Sequence, residues 1–147
     1  MFDHILVATD GSTLAEKGVA SAIALAAKNH ADILALMVIK RPALDYSDGE
    51  MAFDSNDMTR TEARLAETAQ DALDLLVKRA AESGVRLTTS MVMSDRVADS
   101  IIDAAEFNHS DLIVMASHGR TALGRLFMGS ETQSVLAHCK IPVLVVR

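Results

Sequence analysis

Three glycines within eleven positions, Gly119, Gly124 and Gly129, separate an apolar run from a stretch with helical character that begins at Ser130. Glycine lets backbone approach a ligand closely and adopt φ angles that other residues avoid. A helix N-terminus adds unpaired N–H groups and the positive end of a dipole. Glycines placed just ahead of a helix start are the chemistry of a phosphate cradle, with a ligand-free glycine-rich connector as the alternative. Arg120 and Arg125 can add positive charge there or stand as solvated surface side chains. Ser130 also admits two roles. Ser130-Glu131-Thr132-Gln133 has capping-box spacing, in which the hydroxyl serves the helix. The same hydroxyl can bond a phosphate oxygen, and the two roles do not exclude each other.

Other reactive side chains carry less. His118 sits beside the glycines, but the sequence places no carboxylate or nucleophile next to it, which favours a structural or solvent-facing role. Cys139 is the single cysteine, so no intrachain disulfide can form, and nothing nearby supports a redox role. The acidic residues Asp45, Asp48, Glu50, Asp54 and Asp57 read as a solvated loop rather than a metal site. The eight methionines are scattered, as core filler is. Several nucleotide and hydrolase motifs fail. Gly119 and Gly124 imitate the start of a Walker A loop, but Arg125-Leu126 replace the required Lys and Ser/Thr. No Gly-x-Gly-x-x-Gly follows the first apolar run, and no Gly-x-Ser-x-Gly elbow exists.

The elements that would position these residues alternate along the chain. Strands are expected at residues 5–8, 33–39, 85–92, 112–116 and 141–146. Between them, Ala15, Val19, Ala22, Ile23 and Ala26 mark one helical face, and Thr13 with Glu16 has capping-box spacing at its start. A loop is expected from Lys40 to about Met58. Leu65, Ala69, Ala72, Leu73, Leu76 and Ala80 mark a long helix closed by Ser83-Gly84, and Val97, Ile101, Ala104 and Ala105 mark another. Such alternation implies right-handed βαβ units and a parallel sheet covered on both faces. Ligands then bind beyond the carboxyl ends of the strands, where strand order reverses. The loops at 9–12, 40–42, 93–96 and 117–129 are the candidates.

Composition limits the partners. Half of the 147 residues are hydrophobic and only 3% aromatic, so the core is aliphatic. A net charge of −6 disfavours general binding to nucleic acid or anionic membranes. The chain opens without the basic segment of a signal peptide, and its longest apolar run, residues 33–39, is far short of the ~20 residues of a membrane span. A soluble cytoplasmic protein with one domain over residues 1–147 is the expectation.

The sequence resembles the universal stress proteins over nearly its whole length. The likeness runs through Ile5-Leu6-Val7-Ala8-Thr9-Asp10-Gly11-Ser12, Asp111-Leu112-Ile113-Val114-Met115 and Ile141-Pro142-Val143-Leu144-Val145-Val146. The ATP-binding branch of that family carries Gly, two residues, Gly, nine residues, then Gly-Ser/Thr. This chain has Ala116, Gly119 and Gly129-Ser130 at those positions, so the first glycine is alanine. That alanine costs nothing if the position serves only close approach, and is strained if positive φ is needed. Met93-Ser94-Asp95-Arg96 also departs from the Gly-x-Pro many members have there.

The resemblance implies a doubly wound α/β fold of the adenine nucleotide alpha hydrolase-like kind, with five parallel strands in the order 3-2-1-4-5. It implies ATP with Mg or Mn. Ala8, Thr9 and Met115 would line the base pocket and its surroundings, and Val38 would offer backbone to the adenine edge. Asp10 would face the ribose or a metal, with an Asx-turn as its alternative role. Ala116, Gly119, Arg120, Gly129, Ser130, Glu131 and Thr132 would meet the phosphates. It also implies a homodimer through the last strand and a stress-response regulator acting on a further protein partner, with at most slow ATP hydrolysis. A dimeric interaction module without nucleotide and a genuine ATPase are the alternatives.

Overall fold

The computed structural model describes residues 1–42, 55–117 and 129–147. Its elements follow in the order β1 (His4–Thr9), α1 (Thr13–Asn29), β2 (Asp32–Ile39), α2 (Ser55–Glu82), β3 (Leu87–Met93), α3 (Val97–Phe107), β4 (Leu112–Ala116), α4 (Ser130–His138) and β5 (Val143–Val146). The five strands form one parallel sheet in the order β3-β2-β1-β4-β5, as expected. Alternation along β1 explains how both faces are covered. Ile5 and Val7 pack with α1 and α2, through Val19, Ala22, Ala26, Ala69 and Leu73. Leu6 packs on the other face with Ala98, Ile101 and Ala105 of α3 and Val135 of α4. All four apolar β1 and α1 landmarks Ile5, Val7, Val19 and Ala22 are buried to within 1%.

Local signals fail where two residues compete for one boundary. Ser12, not Thr13, caps α1: its hydroxyl accepts from the Ala15 N–H at 3.2 Å. Glu16 therefore falls one position too late for the expected capping box. At the far end His30 takes the left-handed cap conformation, φ 57°, usually left to glycine. Gly84, φ 68°, closes α2 as anticipated, and the Val85 N–H then bonds the Ala80 carbonyl at 3.0 Å. That bond holds Val85 in the turn, so β3 starts at Leu87. Helix α2 begins at Ser55, inside the segment expected to be loop; residues 43–54, with Asp45, Asp48, Glu50 and Asp54, lie outside the described residues. Pro142 precedes β5 and accepts from the Ile113 N–H at 2.9 Å. Among the described residues no helix is long and apolar enough to cross a membrane.

Candidate functional site

The sheet opens at its centre because neighbouring strands stop pairing at different points. β1 pairs with β4 only through Val7↔Val114 and with β2 only through Thr9↔Met37. Beyond these points Met115 and Ala116 pair with β5 alone, and Val38 pairs with β3 alone. The chain leaves β1 into α1 on one face and leaves β4 toward α4 on the other. A crevice must open where such connections diverge. Ala8, Thr9 and Asp10 form one lip of it, and Met115, Ala116 and Ser117 form the other. Ala8, Val38 and Met115 pack on the α3/α4 side of the sheet.

Helix α4 points its N-terminus at this crevice. Gly129 is its N-cap, at φ −57° and ψ 149°, and has no side chain to bond the helix. Its N–H bonds the Ser117 carbonyl at 2.6 Å, while the Ser117 N–H bonds Val146 at 2.9 Å. The two ends of the glycine-rich segment are thus pinned together against β5. The first intrahelical bond runs from the Gln133 N–H to the Gly129 carbonyl at 3.0 Å. The N–H groups of Ser130, Glu131 and Thr132 consequently have no carbonyl partner within the helix. Ser130 is the first helical residue and is exposed, so it does not cap α4; the expected Ser130–Gln133 capping box is not formed. The Thr132 hydroxyl is buried and donates to the Ala116 carbonyl at 3.0 Å, tying helix to strand end.

The neighbouring helix starts are closed by side chains. One Asp10 carboxylate oxygen accepts from the Ser12 N–H at 2.9 Å, which is the Asx-turn role, and Thr9 Oγ1 accepts from the Gly11 N–H at 3.2 Å. At α3, Glu131 Oε2 accepts from the Ala98 N–H at 3.2 Å, and Glu131 Oε1 lies 3.5 Å from Lys40 Nζ. Glu131 thus caps a helix other than its own. Sequence spacing hides this contact, because its partners are distant along the chain; the only signal was that Lys40 directly follows a buried strand. Asp95 was missed as well: its carboxylate accepts from the Arg41 N–H at 3.2 Å, and Ser94 N–H bonds Ile39 at 2.9 Å. These bonds hold the loop after β2 against the loop after β3.

Gly119, Arg120, His118, Gly124 and Arg125 lie outside the described residues. Ala116 lies in β4, and among the described residues only His30 and His109 have positive φ without being glycine. The alanine at the first motif position therefore carries no left-handed strain. Cys139 is half-buried and packs on the α3/α4 core. Among the described residues no group of three or more His, Cys, Asp or Glu side chains is gathered for a metal. At the opposite, amino edge of the sheet, the Arg86 guanidinium bonds Asp32, with Nε to Oδ1 at 2.9 Å, and holds that carboxyl below its ordinary range.

A five-stranded parallel sheet in the order β3-β2-β1-β4-β5, with helices on both faces, defines a doubly wound α/β protein. The chain belongs to the universal stress protein family, whose family model matches residues 1–147. A universal stress protein of Thermus aquaticus is 36% identical over 147 residues, covering 100% of both chains. The solved universal stress protein UspA from Lactobacillus plantarum superposes with a TM-score of 0.85 at 27% identity, covering 99% of this chain and 97% of that one. A universal stress protein solved in complex with cAMP shares the fold, with a TM-score of 0.72, 22% identity, and coverage of 99% and 97%.

Proposed function

We propose that this universal stress protein binds an adenine nucleotide, ATP with Mg²⁺ or Mn²⁺, in the central crevice and serves as a nucleotide-responsive regulator. The observation that carries this reading is the α4 N-terminus. It faces the switch point with no side-chain cap among the described residues, while α1 is capped by Ser12 and α3 is capped by Glu131. A helix start left open in this way is an anion site in waiting. The N–H groups of Ser130, Glu131 and Thr132 and the Ser130 hydroxyl would hold phosphate oxygens. Gly119 and Arg120 would complete the cradle. The base would lie along Ala8, Thr9 and Met115, beside Ala116, with the Val38 backbone at its edge.

The donor set fits a nucleotide-borne metal. Asp10 is the acidic side chain on the crevice lip, and Mg²⁺ is commonly held by one or two carboxylates together with substrate phosphates. Asp10 would hold the ion from the protein side, and the metal would neutralise phosphate charge. Hydrolysis would be slow at most. Phosphoryl transfer needs a cation clamp and a residue orienting water. Glu131, an acid on the first turn of α4, is already engaged with α3 and Lys40.

We further infer a homodimer through β5, with nucleotide occupancy altering that contact or another protein partner. Among the described residues β5 has one strand neighbour, β4, and Leu144 and Leu136 stand 37% and 42% exposed. An apolar sheet edge invites pairing. The Asx-turn at Asp10 favours the second reading, an interaction module without nucleotide, since that residue already has a structural task. Mass spectrometry of small molecules released from freshly purified protein, followed by ATP titration in a calorimeter, decides between the two. Released adenine nucleotide and saturable heat support the first reading. Neither released nucleotide nor heat at millimolar ATP leaves the second.

A further inference from the structure

The glycine-rich stretch from Ala116 to Ser130 contains no lysine. A lysine nevertheless stands at the α4 start, brought there from a different element. Lys40 follows β2, and Glu131 lies in α4, which follows β4. In the order β3-β2-β1-β4-β5, β1 stands between β2 and β4, so the two residues follow strands that are not neighbours. The Lys40–Glu131 ion pair, 3.5 Å from Nζ to Oε1, therefore brings a lysine from the end of β2 to the first turn of α4.

The two ends of this pair are not equivalent. Glu131 keeps the Ala98 N–H through its other oxygen, at 3.2 Å, whichever way Lys40 turns. The Lys40 side chain is 63% exposed on a flexible four-carbon stem. An exposed pair of this kind contributes little to stability, so exchanging one partner is cheap. A phosphate chain lying on the α4 N-terminus would sit beside Glu131, where a second negative charge is unfavourable unless a cation is shared between them. Lys40 is the cation already in position.

Resting on the nucleotide reading above, we propose that Lys40 is a specificity-determining residue that distinguishes a nucleoside triphosphate from a monophosphate. Its ammonium swings from Glu131 to the distal phosphates, and Glu131 sets how readily it does so. Both side chains thereby couple the end of β2 to the occupancy of α4.

The test measures Mg-ATP and AMP affinities by calorimetry for the wild type, Lys40→Gln and Glu131→Gln. Glutamine at 131 retains an oxygen for the Ala98 N–H while removing the charge. Lys40→Gln is expected to lower the ratio of ATP to AMP affinity about tenfold, the low end of the scale for one hydrogen bond to a charged group, and Glu131→Gln to raise it a few-fold. The opposite signs separate charge reading from general damage, which would lower both affinities together. An unchanged ratio in Lys40→Gln, or equal losses for both ligands, overturns the assignment of Lys40 alone. A wild type that binds neither ligand overturns the nucleotide reading itself, and this inference with it.

Discussion

Replacing Gly129 by aspartate separates the fold from the phosphate site. The N-cap angles, φ −57° and ψ 149°, are open to any L-residue, so no strain follows. Aspartate is a preferred N-cap, better than glycine by a few tenths of a kcal/mol, and its charge suits the helix dipole. The free variant is thus expected to melt at or slightly above the wild-type temperature. Its carboxylate would, however, take the N–H groups proposed for phosphate and lie about 4 Å from it. Two unit charges at that distance repel by ~4 kcal/mol at an effective dielectric of about 20. Halving this for the open crevice leaves ~2 kcal/mol, or about a 30-fold loss of affinity. For the wild type, ATP at 100 times its dissociation constant stabilises by about 2.7 kcal/mol, a melting shift of about 5–10 °C for a chain of this size. The same ATP concentration is expected to shift Gly129→Asp by about 2–3 °C. Scanning fluorimetry with and without ATP measures both quantities, and Gly129→Ser supplies a neutral cap as control. An undiminished shift in Gly129→Asp would refute α4 as the phosphate site. A variant that fails to fold would refute the backbone argument.

Three further outcomes follow from the described contacts. His30→Gly relieves a left-handed conformation at an exposed cap and is expected to raise the denaturant midpoint, adding roughly 0.5–1 kcal/mol; a lower midpoint would contradict it. Thr132→Val leaves the part-buried Ala116 carbonyl without its 3.0 Å donor and is expected to cost about 1 kcal/mol in urea unfolding. The Asp32 carboxyl, lowered chiefly by its hydrogen bond from Arg86, contributes stability above the ordinary carboxylate range and loses it as pH falls through that range. Arg86→Ala is therefore expected to melt below the wild type at neutral pH, with the gap closing as pH falls below the ordinary carboxylate range; a gap that persists in acid points to packing instead.

Much of this protein was legible in its residues because the signals are periodic and local. Apolar runs bounded by polar turns marked four of the strands, partial alternation marked β3, and Val19, Ala22 and Ala26 marked the face of α1 that is now buried. The alternation of elements implied the parallel sheet. Its strand order and the placement of site residues came from resemblance to the family. The pairing registers then show that β1 parts from β4 after Val7 and from β2 after Thr9, which leaves Ala8 and Asp10 beyond the pairing with β4 and Met115 and Ala116 beyond the pairing with β1. Boundaries were less legible, since Ser12 and Thr13, or Gly129 and Ser130, satisfy the same capping pattern within one residue. Only hydrogen-bond geometry chose between them. The role of Glu131 was not legible at all. In sequence it belongs to the helix it starts, but its carboxylate serves Ala98 of α3 and faces Lys40 after β2, residues that only the packed sheet brings within 3.5 Å. Local patterning determines which segments become strands and helices, because each apolar face must be buried somewhere. Which charge meets which between elements distant in the chain is decided by the tertiary packing, and no window of sequence contains that.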